Sequence, residues 1–595
     1  MSDIEIKQYT EKLPKWVTTP LETIMYNRGI TTPIGQEIWL KADCRQTYGW
    51  EDLDDDGKMQ KACKKLFDCV QENKDAQIIV DPDCDGWNSS AILINYLYSR
   101  YPKWTREHCS YLFHTGKQHG MSDMMDRIDC DLLISPDGGT NDFDQQQELV
   151  LHRNMQVIVL DHHQIDNPEL VEASAATIIN VQNSAYPNKA LTGGGVAYRF
   201  VSAFEDLYVH GPQPTEFMDL CAVANIGDMA DAREPEIRAI VREGLSNIKN
   251  PFLFEMCKQH KYTLDKRNGL NYRSVAFAIV PFINALTRSG TPQEQEQVFR
   301  GMLTQYAFDD VDSSKRGFGG SKVKQYQEAV TIADRVKRRQ DKLVKESVER
   351  LERKIKEQNL LDNSIILLLC EPDEIEAAHC GLVANKIQAK YQRPTLVLRR
   401  VKDKDNDEYY YSGSGRNYSL CPIEDMRKVC EDTGEVIFAQ GHNSAFGVAI
   451  FESRVPAFVQ KTNEVYKDVD FTPVYWVDYI WKPSTMVSAI VLAIAEMDIW
   501  GQEMQPASVA IEDIPLSENN VQILGLTKGR PTIKIGCGKI ELMLFGASEE
   551  LYEKFVSTPN ATLTVVGSCS KNEWNGVARP QILIDDYEFK QKWIF

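Results

Sequence analysis

Short apolar runs alternate with longer amphipathic stretches from residue 76 to about residue 230. QIIVD (77–81), DLLISPD (131–137), VIVLD (157–161) and ATIIN (176–180) are apolar runs of strand length, and helix-like segments separate several of them. This alternation predicts an α/β domain on a mostly parallel sheet. Three of the four runs end in Asp. In open α/β sheets, sites form beyond the carboxyl ends of strands, so these carboxylates can meet in space while far apart in sequence.

The flanking patterns differ. Residues 1–75 read as helical and polar: IMYNRGITTPIGQEIWL is helix, Gly turn, helix, and DLDDDG (52–57) is a solvated acidic turn. Residues 212–310 look mainly helical, SSKRGFGG (313–320) is a loop, and a long charged helix follows over roughly 321–358. A second α/β region covers about 363–465, with strands in SIILLL, PTLVLRR and VAIFES. From about 470 to 595 short β runs are split by Gly and Pro, which suggests a small barrel of the OB type. The expected division is a helical segment (1–75), a catalytic α/β domain (76–312), a connector helix (313–360), a second α/β domain (361–468) and an OB-fold-like domain (469–595).

Composition changes this picture little. A chain of 595 residues suits several domains, and 43% hydrophobic with 26% charged residues is ordinary for a globular protein. No apolar run approaches the ~18 residues that span a bilayer. The start, MSDIEIKQYTEKLPKW, lacks the basic and apolar regions of a signal peptide. Fourteen cysteines without a C-x-x-C spacing point to a reduced, cytoplasmic setting rather than a disulfide framework or structural zinc. A net charge of −19 argues against a general nucleic-acid coat protein, but not against a nuclease whose metal-binding carboxylates add local negative charge.

The chemistry concentrates in a few turns. IIVDPDCDGWNSSAILINYL (78–97) places Asp81, Asp83 and Asp85 within five residues after a strand. The D-x-D-x-D-G spacing also opens an EF-hand loop, but such a loop needs Glu at its twelfth position, which is Ile92 here, and for DLDDDG it is Cys63. Crowded like charges raise one another's pKa and oppose folding; hard divalent cations offset that repulsion. VIVLDHHQID delivers Asp161, His162 and His163 at another strand end. DLLISPDGGT gives Asp137 before two glycines, and CAVANIGDMAD gives Asp228 after an apolar run. These carboxylates and imidazoles suffice for two metals ~3.5–4 Å apart, the arrangement that supports in-line phosphoryl displacement.

VDPDCDG, SPDGG, LDHHQ and NIGDMAD resemble, in order and approximate spacing, the four motifs of the DHH phosphoesterase superfamily. The whole set is most similar to the RecJ single-strand-specific exonucleases. LTGGGVAYRF (191–200), VPFINALTRSG (280–290), RRQDK in the long helix, SGSGR (412–416), GHNSAFG (441–447) and KNEWNG (571–576) resemble further RecJ motifs. Ile79 stands where small phosphodiesterases of the superfamily carry a His, and Asp81 precedes Asp83 as in the RecJ form. Val80 and Gln440 replace family glycines, and Phe282 stands where an Arg is expected.

The resemblance implies a DHH parallel-sheet domain, a connector helix, a DHH-associated α/β domain and an OB-fold β-barrel. It implies two Mn²⁺ or Mg²⁺ ions. Asp81, Asp83 and Asp137 would hold one; Asp85, Asp137, His162 and Asp228 would hold the other; Asp161 would orient the histidines. His163 would touch the scissile phosphate or act as an acid. Ser414 and Arg416 would grip a terminal 5′-phosphate, His442 would contact a phosphate near the cleavage site, Asn284 and Arg288 would meet the backbone of the strand, and Trp574 would stack a base. Arg335, Lys337, Arg338 and Arg339 would line the channel or lie on a solvated face. The implied activity is removal of mononucleotides from the 5′ end of single-stranded DNA, in DNA repair or recombination. The expected protein is monomeric, binds no membrane, and has a helicase or single-strand-binding protein as a candidate partner. Two other readings stay open: a DHH phosphodiesterase acting on short oligonucleotides or cyclic dinucleotides, and a catalytically weak DNA-binding scaffold.

Overall fold

The computed structural model describes residues 4–591 apart from 45–46, 115–118, 316, 404–407, 527–528, 530 and 575–576. The chain divides into two compact units: Arg28–Gln340 with Asp498–Gln505, and Met1–Asn27 with Asp341–Met497 and Pro506–Phe595.

The first unit is built on a five-stranded sheet. Its spatial order is Cys109–Phe113, Ala76–Val80, Leu132–Pro136, Gln156–Asp161, Thr177–Asn180, and every neighbouring pair is parallel. The strands carry continuous apolar runs because crossover connections cover both faces: Ile78, Ile134, Val157, Ile158, Val159 and Leu160 are fully buried. The helix Cys84–Arg100 is buried all round from Cys84 to Leu97 and packs against the helices Gly193–Phe204 and Met218–Gly227. Two of its buried side-chain amides donate to backbone carbonyls. Asn88 Nδ2 donates to the Cys84 carbonyl at 2.7 Å, and Asn95 Nδ2 to that of Met302 at 3.0 Å.

Residues 1–75, expected as a helical segment, contribute to both units. The first piece is a strand, Glu5–Gln8, paired in parallel with Val474–Val477; helices Pro20–Asn27 and Pro33–Lys41 follow. Strand pairing across 469 positions of sequence leaves no local trace, which is why a helical reading of this stretch missed it.

The charged helix runs over Gln325–Glu357, within the expected 321–358. Its basic cluster engages partners of its own unit. Arg339 pairs with Glu294 at 2.8 Å and donates to the Ser289 carbonyl at 2.6 Å; Arg335 donates to Ser314 Oγ at 2.8 Å. Arg338 lies open to solvent, 3.5 Å from Asp334.

In the second unit a five-stranded sheet has the order Val436–His442, Ala445–Phe451, Tyr409–Arg416, Thr395–Lys402, Ile366–Cys370, with only the last pair parallel. A seven-stranded sheet closes the chain, in the order Tyr479–Trp481, Ser508–Pro515, Ala561–Trp574, Val577–Gln591, Ile540–Phe545, Thr532–Cys537, Val521–Leu524. Its core is Ile511, Ile533, Ile535, Leu542, Leu563, Val565 and Ile582 under Phe555. Among the described residues, no helix is long and apolar enough to cross a membrane.

Candidate metal centre

Strand order creates the crevice. Connections leave Ala76–Val80 toward Cys109–Phe113 on one side and continue to Leu132–Pro136 on the other, so this is where the sheet's winding reverses. Asp81 follows the first of these strands and Asp137 follows Leu132–Pro136; Asp161 is the last residue of Gln156–Asp161. Asp83 caps the helix Cys84–Arg100, its Oδ1 accepting from the Gly86 amide at 3.0 Å, and Asp85 lies in the first turn. Asp228 sits at the carboxyl end of the helix Met218–Gly227. An acid is disfavoured at that end of a helix, so its place there calls for a compensating cation.

The donor atoms converge. Three sets have ligand atoms within 4.8 Å of one another: Asp81, Asp83 and Asp137; Asp85, His162 and Asp228; and Asp137, His162 and His163. His162 Nε2 lies 3.1 Å from Asp137 Oδ1, 3.6 Å from Asp228 Oδ2 and 3.7 Å from Asp85 Oδ2. Asp161 stands behind the pair of histidines. Its Oδ1 accepts from the amides of His162 and His163 at 2.7 and 3.1 Å and from His163 Nδ1 at 2.8 Å.

Glycines make the approach possible. Gly193 and Gly194 open the helix Gly193–Phe204, and their amides donate to Asp85 Oδ2 and Oδ1, each at 2.8 Å. The helix N-terminus thus holds a buried carboxylate in place. A Cβ on Gly193 would stand 2.5 Å from Asp137 Cβ and Oδ1. Asp137 itself has φ +61°, a conformation Asp tolerates better than most residues. Gly193→Ala is therefore expected to displace Asp137 and lower kcat by about 10²-fold, since displacements near 1 Å cost that much. Turnover measured beside a thermal melt checks it; a variant with native turnover contradicts the close-packing argument.

Electrostatics separates the groups. Burial pushes the Asp81 carboxyl up to about 7, and burial with neighbouring acids drives Asp137 far above the usual carboxylate range. Asp85 is raised by burial, against the pull of His162. Burial and the charges of Asp85 and Asp83 push Asp228 up to about 8. Asp161 is the exception. Burial would raise it, but the hydrogen bond and charge of His163 hold it below the usual range. Conversely, burial opposes the charge on His163 while Asp161 holds it up at about 10. Burial lowers His162 and keeps its ring neutral, as a ligand requires. The like charges of four acids meet no lysine or arginine ion pair among the described residues of the crevice. Four buried atoms here have no hydrogen-bond partner among the described residues: Asp81 Oδ1, His114 Nε2, Asp137 Oδ1 and His162 Nε2. Orphaned oxygens and imidazole nitrogens in one place fit hard-to-borderline divalent cations.

The other expected residues are placed as follows. Asn284 Oδ1 accepts from the Cys84 amide at 3.0 Å, so it secures the start of the helix that carries Asp85. Arg288 is on the same helix, Val280–Ser289; burial lowers its pKa and the charge of Asp83 acts against that. Phe282 packs its ring 4.4 Å from that of His260. Ser414, Arg416 and His442 belong to the second unit. There Gly381, in the first turn of the helix Cys380–Tyr391, is so close that a Cβ would lie 2.6 Å from Arg416 Nη2 and 3.3 Å from Ser414 Oγ. His442 ends the strand Val436–His442 and is exposed. Trp574 ends the strand Ala561–Trp574, and its side chain lies outside the described residues.

Sequence reasoning missed two histidines. His119 Nδ1 lies 2.6 Å from Asp81 Oδ2, and His114 is buried beside Asp81. The signal was available for one of them: His114 directly follows the strand Cys109–Phe113, as Asp81 follows its own.

A parallel sheet with acids and paired histidines at its winding reversal is the architecture of a DHH phosphoesterase, and the DHH family, N-terminal domain, matches residues 77–225. The RecJ OB domain matches residues 477–586. A prophage-derived protein of Bacillus subtilis, YorK, provisionally described as a single-strand DNA-specific exonuclease, is 30% identical over 576 residues, 96% of each chain. The single-stranded-DNA-specific exonuclease RecJ of B. subtilis is 22% identical, covering 99% of this chain and 70% of its own. RecJ of Thermus thermophilus in complex with Mn²⁺ superimposes with a TM-score of 0.71 at 20% identity, covering 99% of this chain and 80% of that one. The chain belongs to the RecJ-like single-strand DNA-specific exonucleases of the DHH superfamily.

Proposed function

We propose that this protein hydrolyses single-stranded DNA from its 5′ end to mononucleotides, using a pair of Mn²⁺ or Mg²⁺ ions held in the crevice. The observation that carries this reading is the convergence of the three donor sets on Asp137 and His162, with their facing atoms unpartnered. The names of the relatives support the substrate, and the Mn²⁺- and Mg²⁺-bound RecJ structures of T. thermophilus support the ions.

Asp81, Asp83 and Asp137 would hold one ion, and Asp85, Asp137, His162 and Asp228 the other, with Asp137 shared. When bound, the pair supplies positive charge at the scissile phosphate and lowers the pKa of a water. Around it, Asp161 fixes both histidines. The hydrogen bond to Asp161 favours the charged ring, so His163 would contact a phosphate oxygen or act as an acid. In the second unit, Ser414 and Arg416, beside the amino end of the helix Cys380–Tyr391, would cradle a terminal phosphate. The OB domain suits a polymer better than a dinucleotide. Trp574 would stack a base, and Asn284 and Arg288 would meet the strand near the ions.

Single strands and duplexes labelled at either end, incubated with Mn²⁺, test the reading. Mononucleotides from the 5′ label of single strands alone are expected; first release from a 3′ label, or equal attack on duplex, contradicts it. Cleavage of dinucleotides in preference to long strands would favour the phosphodiesterase reading. Asp161→Asn is expected to cost about 10–100-fold in kcat, because the group that orients the His163 ring and anchors the His162 amide loses its charge, with a smaller change in KM. Steady-state kinetics on the 5′-labelled strand checks this.

A further inference from the structure

The strand Cys109–Phe113 lies beside Ala76–Val80 in parallel register, with Phe113 opposite Val80. The next residue of each, His114 and Asp81, therefore emerges at the same level of the sheet. The His114 ring is fully buried, and its Nδ1 lies 3.0 Å from Asp123 Oδ1. A carboxylate only accepts, so Nδ1 carries the proton and Nε2 presents a lone pair. That lone pair faces Asp81 Oδ1 at 3.7 Å, beyond hydrogen-bond range. Neither atom has another partner among the described residues. The second oxygen of Asp81 is already taken by His119 Nδ1 at 2.6 Å, which leaves Oδ1 as the free one. Two buried acceptors facing each other are unfavourable unless something electropositive lies between them. A divalent cation with bonds of ~2.1 Å to each spans this separation at an open angle.

We propose that His114 is a nitrogen ligand of the ion bound at Asp81. This rests on the metal-dependent reading above. Each ion of the pair then has one imidazole, His114 or His162, and the order Asp123–His114–ion places a carboxylate behind the ring, the arrangement that fixes its tautomer and raises its basicity. An imidazole at both positions favours Mn²⁺ over Mg²⁺.

Calorimetric titration of Mn²⁺ into the metal-free wild type, His114→Ala and His114→Leu tests it, with far-UV circular dichroism to establish folding. The leucine variant fills the volume without a donor atom. The wild type is expected to take two ions. In the variants one of the two binds at least about 10–100-fold more weakly and the other is unchanged. Pulsed EPR of the Mn²⁺-loaded wild type is expected to show directly bound nitrogen at both ions. Two ions at native affinity in a folded variant overturn the assignment while leaving the parent reading intact. Nitrogen at only one ion of the wild type also overturns it, even if neither variant folds. A wild type that takes up no manganese overturns both.

Discussion

Asp137→Asn is expected to abolish turnover, by about 10³-fold or more, while the protein stays folded. Two of the three donor sets include Asp137, and its Oδ1 lies 3.1 Å from His162 Nε2. Losing the carboxylate proposed to be shared by both ions would forfeit several kcal/mol of charge stabilisation, and each ~1.4 kcal/mol is a factor of ten in rate. The change is nearly isosteric, and the backbone amide of Asp137 keeps its hydrogen bond to the Leu160 carbonyl, 2.8 Å. It also removes a buried carboxyl whose ionisation the fold opposes, so the metal-free variant is expected to melt no lower than the wild type. Release of label from 5′-labelled single strands, measured beside a thermal melt, checks both halves. Residual turnover within tenfold of native would remove Asp137 from the chemistry.

Metal removal has the second large effect, and it depends on pH. An EDTA-treated protein is expected to be inactive and to lose stability as pH rises. Asp81 has its carboxyl at about 7 in the folded chain, against ~3.9 unfolded, and Asp85 and Asp137 are raised as well. A carboxyl raised by folding prefers its proton in the native state. Above pH ~4 the unfolded chain gives that proton up and the native chain is penalised, progressively until the folded pKa is reached. His163, raised to about 10, adds a loss of the same sign above pH ~6.5. His162, lowered, works the other way below that pH. The net expectation is a melting temperature roughly 5–10 °C lower at pH 8 than at pH 6 without metal. Mn²⁺ restores it, most at the higher pH, because cations replace protons as the partners of these acids. Differential scanning calorimetry across that range, with and without Mn²⁺, measures it; a flat metal-free profile contradicts the burial of unpaired acids.

The parts of this site legible in the sequence share a local rule. Ile78–Val80 and Val157–Leu160 are buried on both faces, so they read as uninterrupted apolar runs, and the Asp at the end of each could be marked as a candidate ligand directly. The glycine run was recognisable only by likeness. Its physical reason, amides of Gly193 and Gly194 on Asp85, joins residues more than a hundred positions apart. Cys109–Phe113 is an edge strand, only partly buried, and carries a weaker pattern than its neighbours. That is why His114 went unmarked although it ends a strand as Asp81 does. Asn284, expected from the sequence to meet the DNA strand, also accepts from the Cys84 amide, a bond between residues 200 positions apart. Residues 498–505 fold with the first unit because the Ala232 amide bonds to the Gln502 carbonyl at 3.0 Å, a long-range contact no window of sequence contains.

Anomalous diffraction at the manganese edge, from a crystal soaked in Mn²⁺, tests the central claim most directly. The account predicts two peaks beyond the ends of Ala76–Val80 and Leu132–Pro136, ~3.5–4 Å apart, with the Asp137 carboxylate between them. A map with no peak there, and the acids of the crevice still turned toward one another without an ion, would contradict it.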